Sequence, residues 1–204
     1  MPPELIRLIE SPDQVTDYYR IIHKAIGGNV SDGSLWLVKQ KDWVAVVAYE
    51  GRLYFDENED RIVQTLANFG YTEFIAVTWT NFSPPFPCYV VPATVDGLGD
   101  LTVNTFHWYV WFAGNPDWFI LVPKPMDFII VAGQPDFVRQ ILGCELDEAS
   151  IDIREMSESE YLDSVIRKYY VHLLEELQIA YPKAEPGTVI NLGLLNWDET
   201  PQAL

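Results

Sequence analysis

Hydrophobic positions along the chain alternate between two periods. Val15, Tyr18, Tyr19, Ile22 and Ala25 recur at three- and four-residue spacing, which predicts an amphipathic helix over 11–26. "SPDQ" at 11–14 marks its start. Ser11 suits the N-cap, Pro12 the first helical position, and Gln14 the reciprocal position of a capping box. "GG" at 27–28 reads as its stop. "DENE" at 56–59 is a second box and predicts a helix with Ile62, Val63 and Leu66 facing inward. "SESE" at 157–160 is a third. It is expected to open a long C-terminal helix carrying Leu162, Ile166, Tyr169, Tyr170, Leu173 and Leu177 to about Ile179.

Between these helices lie short runs rich in β-branched and aromatic residues: "SLWLV", "DWVAVVAY", "RLYF", "EFIAVTW", "CYVV", "DWFILV" and "DFIIVA". Each is bounded by turn residues and predicts a strand. Several are apolar at every position, which predicts a sheet covered on both faces over part of its length. "VDGLGD" at 95–100 reads as a hairpin turn around Asp96-Gly97, with "LTVNTF" as the strand that follows.

Two segments resemble each other. Residues 42–67 and 117–142 align without a gap, Asp42-Trp43 on Asp117-Trp118 and Leu66-Ala67 on Ile141-Leu142. Each reads as strand, turn, strand, short helix. The expected architecture is therefore one α+β domain over 1–204. It has a largely antiparallel sheet, two pseudo-repeated ββα units and a long C-terminal helix. Residues 180–204, which include "YPKAEPG", are expected to run along the surface or to be partly mobile.

Charge narrows the choice of partners. Thirty acidic against thirteen basic residues give a net charge of −17. Residues 145–204 concentrate it, with thirteen acidic against four basic residues. A field of that sign repels phosphate backbones and anionic lipid, so direct nucleic-acid or membrane binding is not expected. It favours a basic protein partner and would accelerate that encounter at low salt. No apolar run approaches a membrane span, and "MPPELIRLIE" lacks a basic leader region, so a cytoplasmic location is expected.

The chemistry-bearing residues are few. Cys88 and Cys144 stand outside any CxxC pattern, and His23, His107 and His172 show no metal-ligand spacing, so neither a metal nor a cofactor is expected. Attention falls on "NTFHWYVWF", residues 104–112. Read as a strand, its even positions (Phe106, Trp108, Val110, Phe112) are uniformly apolar. Its odd positions (Thr105, His107, Tyr109, Trp111) carry polar handles. The odd face is expected to be half-wet, making His107, Tyr109 and Trp111 a candidate binding surface, unless a helix covers it.

Two functions follow as expectations. The first is a non-enzymatic acidic interaction protein that docks a basic partner, as an inhibitor or immunity protein would. The second is a small-molecule binder or hydrolase-like enzyme with an aromatic cleft around His107, in which Cys88, Asp96 and Asp100 supply the reactive groups. A homodimer buried through the aromatic strand is a third reading.

Overall fold

A computed structural model describes residues 5–29, 34–53, 56–78, 87–104, 109–123 and 127–193. In chain order the elements are β1 (Arg7–Leu8), α1 (Pro12–Ile22), β2 (Ile26–Asn29), β3 (Ser34–Val38) and β4 (Val44–Tyr49). A 3-10 turn (Glu50–Arg52), α2 (Asp56–Asn68), β5 (Glu73–Thr78), β6 (Cys88–Pro92) and α3 (Val95–Asn104) follow. Next come β7 (Tyr109–Ala113), β8 (Trp118–Val122), β9 (Phe128–Gly133), α4 (Pro135–Leu142) and α5 (Ile151–Glu158). The chain then forms α6 (Ser164–Leu174), a π-helical stretch (Glu175–Ala180), α7 (Tyr181–Lys183) and β10 (Val189–Asn191).

The larger sheet runs β1-β6-β5-β7-β8-β9-β4 with every neighbour antiparallel. A smaller sheet, β10-β3-β2, lies apart from it. Alternate side chains of the large sheet enter two separate cores. The first core takes Val47, Val77, Val110, Leu121 and Ile130 and is closed by α1, the small sheet and the C-terminal helix through Ile22, Leu37, Tyr170 and Leu177. The second takes Val46, Ala76, Trp111, Ile120 and Val131 and is closed by α2, α3 and α4 through Ile62, Leu98 and Phe137. β7, β8 and β9 are buried at every position, so the apolar runs are those of a sheet covered from both sides.

Local sequence explains the first helix. The Ser11 hydroxyl accepts from the Gln14 N–H, Pro12 takes the first turn, and Asp13 complements the dipole. The helix ends earlier than its pattern suggests, because Gly27 and Gly28 belong to β2 rather than to a cap. Gly27 is needed for space there: a Cβ would lie 2.4 Å from the Trp36 indole on β3. Gly143, by contrast, is needed for its backbone. It ends α4 at φ 68°, and its N–H bonds the Arg139 carbonyl. Gly143→Ala should lower stability by about 1–2 kcal/mol in urea unfolding, because the added Cβ would also press on the Arg61 side chain, 2.8 Å away. An unchanged midpoint would contradict this explanation of the cap.

Several expectations need correction. "VDGLGD" is the first part of α3, not a hairpin turn, and residues 101–104 continue that helix. Thr94 makes the difference, since its hydroxyl accepts from the Gly97 N–H and its carbonyl from the Leu98 N–H. "SESE" opens nothing. Ser157 lies within α5 and donates to the Arg154 carbonyl, while α6 is capped by Asp163, whose carboxylate accepts from the Val165 N–H at 2.7 Å. From Ser164 the chain stays helical to Lys183, and its π stretch precedes Pro182, whose missing N–H cannot bond one turn back. Within 180–193, the segment expected to be extended or partly mobile, Val189–Asn191 are an extended strand paired with β3; 194–204 lie outside the described residues.

Of the two expected ββα units, only the second has that form among the described residues. Both segments run from strand to helix, and α2 and α4 pack together on the second face. The second copy has the strand pair β8–β9. In the first, residues 50–52 form the 3-10 turn and Leu53 a turn, whereas Tyr54 and Phe55 lie outside the described residues. β4 completes its pairing on β9 instead. There Val44 and Trp118 both stand opposite Gly133, one residue off the sequence alignment. A one-residue shift reverses faces. Trp43 accordingly enters the first core beside Phe119, at 6.2 Å, and Trp118 enters the second.

Candidate functional site

Of the residues singled out in the sequence, Tyr109, Trp111, Cys88, Asp96 and Asp100 are among the described ones. Tyr109 and Trp111 lie on β7 with 3% and 5% exposure, so the described part of the odd face is core rather than half-wet. The helices of the second face cover it. Trp111 packs on Phe74 at 5.5 Å and Tyr109 on Tyr89 at 6.4 Å. The alternation misled because the polar handle of a tyrosine or tryptophan does not by itself keep the ring in water. Thr105, Phe106, His107 and Trp108 lie outside the described residues.

The alternative cleft is also divided. Cys88 is fully buried in the first core, and burial pushes its thiol up to about 11. A thiol so raised is not a nucleophile near neutral pH. The Tyr19 hydroxyl beside it donates to the Thr78 carbonyl at 2.5 Å. Asp96 and Asp100 ride on α3, against the opposite face of the sheet. Asp100 serves the fold instead. Its Oδ2 accepts from the N–H groups of Leu5 and Ile6, at 2.8 and 3.0 Å, and so anchors the N-terminal segment. Asp96 is exposed in the first turn of α3.

A different site emerges where α5 passes the end of β4. Tyr49, Asp152, Glu155, Met156 and Ser159 line a cleft of about 400 Å³. Tyr49 ends β4 and is 38% exposed. Asp152, Glu155, Met156 and Ser159 follow the i, i+3, i+4, i+7 spacing, which puts them along one side of α5 and its cap. α5 is held over the strand end by the buried Ser150 hydroxyl, which donates to the Val47 carbonyl at 2.7 Å, and by Ile153 in the first core.

The electrostatics of this corner are one-sided. Asp152 meets Arg52 at 3.3 Å, with 45% of its own side chain exposed. Arg52 in turn donates to the Cys144 thiol at 3.3 Å, and the neighbouring Arg61 is tied to the Arg52 carbonyl and the Ile141 carbonyl. Those cations are therefore committed to the structure. Glu155 is exposed. Tyr170, buried behind the strand end, is pushed up to about 12 by burial and then by the negative charges of Asp127 and Glu50. The cleft itself presents two carboxylates, Asp152 paired with Arg52 and Glu155 exposed, beside the Tyr49 ring and Met156.

The sequence carried a signal for this site in the spacing of Asp152, Glu155, Met156 and Ser159. Assigning 157–160 to the start of the next helix obscures it. Tyr49 is about a hundred residues away along the chain, a pairing no local pattern records. Among the described residues there is no cluster of three or more His, Cys, Asp or Glu able to hold a metal, and no helix long and apolar enough to cross a membrane. Comparison with family profiles, curated proteins and solved structures finds no match.

Proposed function

We propose that the protein is a non-enzymatic interaction domain that docks a basic protein partner, with a lysine or arginine side chain of that partner entering the cleft between Tyr49 and α5. The observation that carries this reading is the lining itself. Tyr49 offers a ring face, Met156 an apolar wall and Glu155 an exposed carboxylate, with Asp152, already paired to Arg52, beside it; these are the features that a long basic side chain uses together. At low salt the net charge of −17 adds attraction for the same partner. An inhibitor or immunity-type role, in which the acidic surface covers a basic one, is the form of function this chemistry suits.

The test separates the cleft from general acidity. A fluorescent lysine-rich peptide is titrated against the wild type, against Glu155→Lys in the cleft, and against Glu10→Lys far from it; Glu10 is likewise exposed. Both variants change net charge equally. We expect Glu155→Lys to weaken binding about tenfold more than Glu10→Lys, with a shallower salt dependence. Equal losses in the two variants would rule out the cleft as the docking site.

A further inference from the structure

On the other side of α5 lies a cavity of opposite sign. Ser157, Ser164, Arg167, Lys168 and Val171 line a space of about 370 Å³. Ser164, Arg167, Lys168 and Val171 repeat at i, i+3, i+4 and i+7 and so form one face of α6, while Ser157 comes from α5. Two adjacent cations here are conspicuous, because residues 145–204 contain only four basic residues against thirteen acidic ones.

Neither cation is neutralised. Among the described residues, Arg167 and Lys168 make no ion pair, and the Ser164 hydroxyl has no hydrogen bond. Arg167 is half-buried, and its Nε is shut off from solvent with no acceptor among the described residues. Asp163, the closest acid in sequence, directs its carboxylate to the Val165 N–H. The buried Nε faces the protein, so it is the remaining guanidinium N–H groups of Arg167, with the exposed Lys168 ammonium, that line the cavity without a carboxylate partner among the described residues, and a charged donor of this kind binds an anion more strongly than a neutral one.

We infer that this cavity between α5 and α6 binds a tetrahedral oxyanion, a phosphate or the phosphate group of a small monoester. Arg167 and Lys168 supply the charge and Ser164 a hydroxyl donor, while Val171 provides an apolar wall for whatever the phosphate is attached to. The protein's overall negative field does not forbid this. At physiological ionic strength, charges more than about 8 Å away are largely screened, so the local donors decide. The site is independent of the proposed basic-partner cleft, which uses Asp152, Glu155 and Met156 on α5 rather than the face of α6.

The experiment titrates inorganic phosphate and phenyl phosphate into the full chain at constant ionic strength, with chloride as the control. Backbone and side-chain NMR shifts of 157–171 are followed. The expected result is saturable shifts confined to this region. Arg167→Gln combined with Lys168→Gln should weaken them at least about tenfold, whereas Arg20→Gln on α1 should leave them unchanged. Tighter binding of phenyl phosphate would identify an organic monoester as the ligand class, and equal binding would identify free phosphate. Shifts that do not saturate, that chloride reproduces, or that survive the double substitution would overturn the proposal. The wild-type titration decides even if the double variant folds poorly.

Discussion

Trp118→Ala should cost about 3–5 kcal/mol of folding stability, a large fraction of what a domain of ordinary stability has. The indole is 1% exposed and sits where three elements meet. It stacks on Phe137 of α4 at 5.0 Å, meets Tyr71 edge-on at 5.8 Å and approaches Phe74 of β5 at 6.3 Å. Its backbone stands opposite Gly133 across the β8–β9 pair, and a Cβ on that glycine would fall 3.0 Å from the Trp118 Cβ. The sheet, α4 and the β5–α2 corner therefore share one side chain, and truncating it leaves a cavity that none of them can fill by a local shift. Trp43→Ala should cost less, because Trp43 lies at 7% exposure on the other face. Equilibrium denaturation of the two variants checks the ranking. A Trp43 variant as damaged as the Trp118 one would contradict this ranking.

Raising the pH above 10 should unfold the protein cooperatively. Tyr170 and Tyr181 are pushed up to about 12, by burial above all, and burial also raises Tyr19 and Tyr169. An unfolded tyrosine releases its proton near pH 10. The folded chain thus holds protons that the unfolded chain has lost, so their contribution is complete below pH 10 and disappears between about 10 and 12. For a fully buried ring such as Tyr181, a rise of that size corresponds to a loss on the order of 2–3 kcal/mol. Lys39, whose ammonium lies over the Tyr181 ring at 4.3 Å, is pushed below its ordinary value by burial. It acts with the opposite sign, favouring the fold as pH rises to about 10.5, and so does not mask the loss above that. Tyrosinate absorbance and circular dichroism should change together. A smooth titration near pH 10 with the secondary structure intact would contradict the burial of these rings.

The parts of the fold written in local chemistry were legible. Ser11-Pro12 fixes the start of α1, and the fully apolar runs at 109–113 and 118–122 announce strands covered on both sides. What escaped was decided at a distance. Asp96-Gly97 favours a tight turn in isolation, yet the Thr94 cap and the packing of Leu98 and Leu101 on the second face make it helix. Tyr109 and Trp111 carry the chemistry of an interface, and only the presence of α2–α4 above them makes them core. The cleft beside Tyr49 needed two facts at once: where α5 begins, and that Ser150 pins it to Val47. Charge, by contrast, was readable from the start and adds to the proposed function, which rests on the cleft lining.

Docking of a basic side chain beside Tyr49 is tested most directly by residue-resolved NMR during titration with the lysine-rich peptide. The largest shift changes are expected at Tyr49, Asp152, Glu155, Met156 and Ser159, saturating together and weakening with salt. Changes spread evenly over the exposed acids of 145–163, or centred away from α5, would contradict docking in this cleft.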